Sequence, residues 1–269
     1  MRITNLVIAV VALAAVVVSC SKDDFEVRDG NKRPTDLTSV ASLVTGRTDG
    51  VISLSIDAPE PSRAAVWIDL DGDGIRAADE SENVTGFNQY VDYNLASNVT
   101  TVSVHGDITY LGCASNELTA VDVSKSPYLI TLNAPINKLT SLDVSKNRML
   151  KRLDCSANRI ATLNVSQNSE LITLWSFNNE LTALDVSSNR NLSFLDCSGN
   201  RLTALDVSNN NELMRLLCYN NKLSSLDVTQ NSKLSRLWTY GNSFTQNETE
   251  RLLGVLKEKT EGDFWVSND

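Results

Sequence analysis

The sequence predicts a mainly β solenoid with a parallel sheet, a small N-terminal β cap and a C-terminal helix cap. Three observations predict it. A 21-residue block recurs in register from Ile108 to about Phe244, as six full copies and one partial copy. Within each block apolar residues alternate with polar ones at period two, over stretches too short for a helix. One asparagine holds the same place in every copy. A fixed short period means that each copy is a unit whose apolar side is buried by its neighbours.

The copy "LSFLDCSGNRLTALDVSNNNE" sets the numbering, with Leu192 as position 1. Positions 1, 4, 6, 11, 14 and 16 are apolar across the copies, and position 6 is often Cys. "SFLDCS" and "ALDVS" both alternate, so each coil is expected to hold two short strands, with turns at "GN" and "SNNN". Position 9 is Asn116, Asn137, Asn158, Asn179, Asn200, Asn221 and Asn242. The chain leaves the sheet there, and its backbone groups lose their ladder partners. A buried amide that both donates and accepts restores those bonds in coil after coil, so this column reads as structural.

The pattern L-x-x-L-x-[LC]-x-x-N-x-L resembles leucine-rich repeats. The 21-residue, cysteine-bearing form looks like the class found in internalin-like bacterial surface proteins, and it covers about half of the chain. The resemblance implies a right-handed curved coil used for binding and not for catalysis. Cys113, Cys155, Cys197 and Cys218 all stand at position 6, pointing inward, where other coils have Ala134, Ser176 and Thr239. Cys197 and Cys218 are in neighbouring coils. Parallel strands lie about 4.8 Å apart, whereas bridged Cβ atoms want about 3.8 Å, so free thiols are expected.

Residues 1–19 read as a lipoprotein signal peptide. Arg2 precedes an apolar run from Leu6 to Val18, too short for a membrane span, and Ser19-Cys20 follows. "VVSC" resembles a bacterial lipobox, which implies acylation of Cys20 and an outer-membrane location. An ordinary signal peptide cut near Ser19 and a retained helix anchor are the alternatives. "SKDDFE" resembles the surface-export signal of Bacteroidota lipoproteins, and a solvated tether is its alternative. Residues 20–50 are polar and read as a flexible spacer.

Residues 51–107 read as a β-rich cap. "VISLSIDA" and "AAVWIDL" alternate as strands, and "NVTTVSVHGD" reads as a shortened half-coil. His105 is read as a lone histidine in a turn. Between them lies "DLDGDGIRAADE". Asp69, Asp71, Asp73 and Glu80 occupy positions 1, 3, 5 and 12 of what resembles an EF-hand-type calcium loop, with Gly74 at 6. A strand precedes it and Arg76 takes the usual apolar place, so a strand-flanked loop with structural calcium is expected. A solvated acidic hairpin is the alternative.

Residues 245–269 read as a C-terminal cap. Asn247 is placed to cap a helix over 248–259, with Glu250 at its third position. Leu252, Leu253 and Leu256 make its apolar stripe, and a strand "FWVS" follows.

Two faces point outward. On the first strand, positions 3, 5 and 7 carry Tyr110, Trp175, Phe177, Phe194, Tyr219, Trp238 and Tyr240 among 21 places, in a chain that is 6% aromatic. Six of these lie in the last four coils. Arg152, Arg215 and Arg236 share that face. Rings in water are unfavourable without a cover, so a ligand is expected there, unless the 21–50 spacer or a partner subunit hides them. On the second strand the outward face has no aromatic ring and carries a column of Asp122, Asp143, Asp185, Asp206 and Asp227, interrupted by Asn164. Hydrogen bonds to backbone or nearby Ser, or a bound cation, would hold it.

The net charge of −9 and the lack of a basic block argue against nucleic acid. One histidine and no nucleophile–base pair leave no constellation for an enzyme. The expected function is a cell-surface lipoprotein that binds a protein ligand through the aromatic face of its repeats. A glycan-binding lipoprotein is the alternative, since aromatic platforms also stack sugars.

Overall fold

The computed structural model describes residues 39–257 and 262–267. The expected signal peptide, the expected lipidation site Cys20 and the rest of the segment through residue 38 lie outside the described residues. No described helix is long and apolar enough to cross a membrane.

The molecule is a β solenoid built on two sheets. In chain order the strands are β1 (Val40–Thr45), β2 (Val51–Asp57), β3 (Trp67–Asp69), β4 (Tyr90–Asn94), β5 (Thr101–His105), β6 (Tyr110–Gly112), β7 (Leu118–Lys125) and β8 (Thr131–Asn133). They continue as β9 (Arg152–Asp154), β10 (Thr173–Trp175), β11 (Phe194–Asp196), β12 (Arg215–Leu217) and β13 (Arg236–Trp238), then helix α1 (Gln246–Lys257) and β14 (Asp263–Trp265). Ten strands form one sheet in the order β14-β13-β12-β11-β10-β9-β8-β6-β2-β4. From β6 to β13 it is parallel and in register, as a strict 21-residue period requires, and β14 joins β13 in parallel from outside that period. Positions 1, 4, 6, 11, 14 and 16 are buried throughout, as Leu192, Leu195, Cys197, Leu202, Leu205 and Val207 illustrate.

The second sheet closes the N-terminal end, in the order β3-β5-β1-β7. Here the spacer reading fails at its C-terminal end. Residues 40–45 are a central strand, with Ala41 and Leu43 fully buried between β5 and β7. "NVTTVSVHGD" is no half-coil either: β5 pairs antiparallel with β1 and β3. His105 ends that strand and stacks on Trp67, with ring centroids 4.0 Å apart. Burial there pushes its pKa below the usual histidine value.

The second strand of each coil is also corrected. Only the first coil has one, β7, and it exists because β1 pairs with it. In later coils "ALDVS" is extended without a ladder. The backbone bond to the coil before lies ahead of it, as from Arg201 N–H to the Leu181 carbonyl at 2.8 Å. Period-two alternation reports an extended chain but not its hydrogen-bond partners. The aspartate column takes the donors instead. Asp143 and Asp206 each accept the N–H two residues on at 2.8 Å, and Asp122, Asp185 and Asp227 do so at 2.9 Å. Hydrogen bonds from the following Ser or Thr hold these carboxyl groups below the usual range.

Two asparagine ladders carry the turns. At position 9, Asn158 Oδ1 accepts from Leu139 N–H at 3.0 Å, while its Nδ2 donates to the carbonyls of Ala134, Cys155 and Ser156. The residue before it is left-handed in every coil: Ser115, Ile136, Ala157, Asn178, Gly199, Asn220 and Gly241 have φ between 51 and 67°. At Gly199 a Cβ would meet Asn178 Oδ1 at 2.2 Å, so a larger residue there would have to turn the Asn178 side chain aside. The second ladder, at position 19, is fully buried Asn147, Asn168, Asn189, Asn210 and Asn231. Asn189 Nδ2 donates to the Val165 and Asn168 carbonyls of the coil before. From the repeat pattern alone this position is expected only to be a turn.

At the C-terminal end α1 begins two residues earlier than expected. Thr245 is its cap, accepting Glu248 N–H through Oγ1 at 3.2 Å. Glu248 then accepts the Leu226 N–H, tying the helix to the preceding coil. Leu252 and Leu256 are buried, whereas Leu253 faces solvent.

Candidate ligand face and acidic loop

In-register pairing turns each outward position into a row across the sheet. Position 5 reads Gly112, Asn133, Asp154, Trp175, Asp196, Leu217, Trp238 and Trp265. Position 3 reads Tyr110, Thr131, Arg152, Thr173, Phe194, Arg215, Arg236 and Asp263. The rings form two clusters. Trp175 and Phe194 pack at 5.4 Å. Tyr219 stacks on Tyr240 at 4.6 Å and lies 6.3 Å from Trp238. Trp265 joins the second cluster, 6.0 Å from Trp238 and 5.2 Å from Tyr240. Phe177 is half-buried on the same face, in the position-7 row.

Trp265 is 57% exposed and was absent from the sequence-derived site. Its signal was available: "FWVS" alternates, which puts Trp265 on the same side as Trp238. The rings expected in water are half-buried, whereas Trp265 is exposed. The indole N–H of Trp238 is buried without a hydrogen-bond acceptor.

Arg236 is engaged, paired with Asp263 at 2.9 Å and lying 5.6 Å over the Trp238 ring. Arg152 and Arg215 are exposed on the face. Asp154 and Asp196 are the unexpected members. Burial pushes both carboxyl groups up, Asp196 to about 6, against the hydrogen bonds from their own serines.

The four repeat cysteines are buried and unbridged. Burial raises the Cys113 thiol to about 12 and raises Cys155, Cys197 and Cys218 as well, so they are neutral, inert core residues at pH 7.

The acidic loop keeps two of the four expected ligands together and gains another residue. Oxygens of Asp69, Asp71 and Glu82 lie within 4.8 Å of one another. Glu80 and Asp73 are not in that group. The chain returns beside β3 through a bridge between Trp67 and Asn83, and Ile68 N–H donates to the Glu82 carbonyl at 2.8 Å. That pairing aims Glu82 at the loop and leaves Glu80 in the turn before it, with φ 64°. Glu82 is buried and accepts Leu70 N–H and Ala77 N–H, both at 2.9 Å. Asp69 accepts Gly72 N–H at 2.7 Å and Gly74 N–H at 3.2 Å. Asp73 accepts Ile75 N–H at 2.6 Å.

Comparison with known proteins bears on the coils. A domain of InlJ from Listeria monocytogenes, described as including a cysteine ladder, matches 59% of this chain at 38% identity, with a TM-score of 0.54. The coils are similar to the repeats of that domain. A leucine-rich-repeat protein of Leptospira interrogans matches 53% of the chain at 29% identity and a TM-score of 0.50. The chain covers 34% and 38% of those two structures. The family model of the LVIVD repeat matches residues 96–131, the entry into the repeats and their first coil. No curated protein matches. In this chain four of seven coils carry an inward cysteine at position 6, and only Cys197 and Cys218 are in neighbouring coils.

Proposed function

We propose that the protein is a non-enzymatic, surface-exposed lipoprotein of the outer membrane that binds a protein ligand through the ring-bearing face of its repeats, anchored by a lipid on Cys20. The observation that carries the binding reading is a contrast within one molecule. The core positions and the aspartate column recur because packing is the same in each coil. The first-strand face varies, and gathers Trp175, Phe194, Tyr219, Trp238, Tyr240 and Trp265 in its last strands. Aromatics and arginine are the usual anchors of interfaces. The likeness to internalin-like repeats supports an adhesion or interaction role.

The test is a screen of the mature protein against displayed extracellular peptides and a glycan array. The Trp175→Ala/Trp238→Ala double variant should weaken a protein hit by about 2 kcal/mol or more with unchanged unfolding. Intact affinity would place the site elsewhere. Tight binding to a defined polysaccharide alone would favour the glycan reading.

We further propose a structural calcium ion at Asp69, Asp71 and Glu82, supported by the convergence of three carboxylates, two of them buried. An all-oxygen donor set suits calcium. At tenfold excess over its dissociation constant the ion adds about 1.4 kcal/mol, a rise of roughly 3–6 °C in melting temperature for a domain of this size. Glu82→Gln should abolish the rise and Glu80→Gln should keep it; the reverse would restore the original loop assignment.

A further inference from the structure

The row at position 2 runs along the edge where each coil enters the sheet, and its backbone is one continuous ladder. Lys151 N–H donates to the Ile130 carbonyl at 2.8 Å and Ile172 N–H to the Lys151 carbonyl at 2.8 Å; Ser193, Met214 and Ser235 continue it at 2.9 Å each. The side chains are held at the spacing of the strands. Packing does not fix their identity, since lysine and serine take the same place as isoleucine and methionine. Yet the apolar members fall on every second coil, as Ile130, Ile172 and Met214. Ile172 is 37% and Met214 50% exposed, and Ile130 is half-buried. Large apolar side chains at a place that serine can take are unfavourable in water without a cover.

The charge beside this row has the same step. In the turn just before it, at position 20, Arg148 and Arg190 are exposed and two coils apart. Lys151 stands in the row itself, between Ile130 and Ile172. The acids at positions 20, 21 and 2 are Glu170 and Glu212, and Glu212 is paired with Lys233. That leaves Arg148, Lys151 and Arg190 against Glu170. The edge is locally positive in a chain of net charge −9, whose aspartate column lies on the second-strand face.

The spacing selects the shape of the cover. Neighbouring strands are about 4.8 Å apart, so a step of two coils is about 9.6 Å. An α-helix returns every seventh residue to one side after about 10.5 Å. Over the two steps from Ile130 to Met214 these drift apart by about 2 Å, and the unbranched Met214 side chain is the adaptable end. An extended strand, repeating at about 6.7 Å, misses Ile172. A polyproline chain repeats at about 9.3 Å, but a helix about 10–12 Å wide also covers the arginine row beside the apolar one.

We propose that this edge docks an acidic amphipathic helix of a protein partner. One apolar residue per heptad sits over Ile130, Ile172 and Met214, and acids of the intervening turns face Arg148, Lys151 and Arg190. The charge pairs set register and orientation. The edge is separate from the ring-bearing face, and the proposal does not depend on that face binding anything.

The probe is a capped, fluorescein-labelled peptide of three Leu-Ala-Ala-Glu-Glu-Ala-Ala heptads, titrated into the mature protein and followed by anisotropy. A glutamine counterpart removes the charge, and a counterpart with one proline in each heptad removes the helix. The acidic peptide should bind saturably. The glutamine peptide should bind about tenfold more weakly, and the proline peptide should not bind. Ile172→Ser and Met214→Ser copy what Ser193 and Ser235 supply in other coils, so the fold is kept; each should weaken binding about fivefold. Arg148→Ser, which copies Ser169, should weaken it severalfold. Lys222→Ser, at position 10 on the far side of the strand, where the last coil has Ser243, should leave it unchanged. No saturable binding, equal binding of the glutamine peptide, or serine variants at Ile172 and Met214 that bind as well as the wild type would each overturn the proposal. Equal binding of the proline peptide would overturn it in favour of an extended segment.

Discussion

Replacing Asn200 by alanine should destabilise the protein by about 4 kcal/mol in urea unfolding. The side chain is inside the stack and serves two coils at once. Its Oδ1 accepts Leu181 N–H at 3.0 Å, and its Nδ2 donates to the Ser176, Cys197 and Ser198 carbonyls at 2.9, 3.0 and 3.2 Å. Alanine leaves a buried N–H and carbonyls without partners. Each such group costs about 1–3 kcal/mol, and leaving the Leu181 N–H and the Ser176 carbonyl bare accounts for the estimate. Against a total of roughly 5–15 kcal/mol for a domain, the variant would stand near its unfolding threshold. Asn211, exposed at position 20, is the control, and Asn211→Ala should change stability by less than about 0.5 kcal/mol. A loss below about 1 kcal/mol at Asn200 would mean that water replaces the amide.

A chain that begins at Gly46 should lose the N-terminal cap, whereas one that begins at Thr35 should keep it. The first removes β1, which lies between β5 and β7 and pairs antiparallel with both. It takes two fully buried side chains from the core, Ala41 and Leu43, and loss of a buried leucine side chain alone costs about 2–5 kcal/mol. It also removes the Ser39 hydroxyl bonded to Asp107 and the Thr45 hydroxyl bonded to the Asn116 carbonyl. Both neighbouring strands would gain an open edge, which invites aggregation. Hydrogen exchange reads the outcome directly: amides of β5 and β7 should exchange rapidly in the shorter chain. Unchanged protection at Val102 and Val121 would show that the repeats hold the cap without β1.

What the sequence made legible was whatever repeats. The core of the coils, the position-9 ladder and the free cysteines followed from a block read in register, because identical packing imposes identical residues. Features that occur once had no such reinforcement. "VASLVT" is six residues of weak alternation inside a polar stretch, and only pairing on both sides makes it a central strand. The second ladder did recur, but its asparagines sit in runs such as "SNNN", where turn chemistry and burial predict the same residue. Glu80 occupied the proper place in a loop pattern, yet the return pairing at Asn83 brings Glu82 to the acidic group instead. Asp154 and Asp196 were visible on the outward face, but their burial depends on the rings beside them, which no single coil encodes.

The direction in which the ladder asparagines reach has a consequence for how such a molecule can change length. Every amide in the position-9 column grips the coil before it, and Asn116 grips β2 instead, through the N–H and carbonyl of Ser53 at 2.8 and 2.7 Å. Each coil is therefore completed by its successor and asks nothing new of its predecessor. A unit of 21 residues can be duplicated or lost within the array with every junction preserved, while the two ends stay as they are. The ring-bearing strands then act as a ruler: recombination between copies would lengthen or shorten the contact surface in steps of about 4.8 Å, one strand at a time. The same gene could in this way follow a changing ligand by altering its span before altering any side chain.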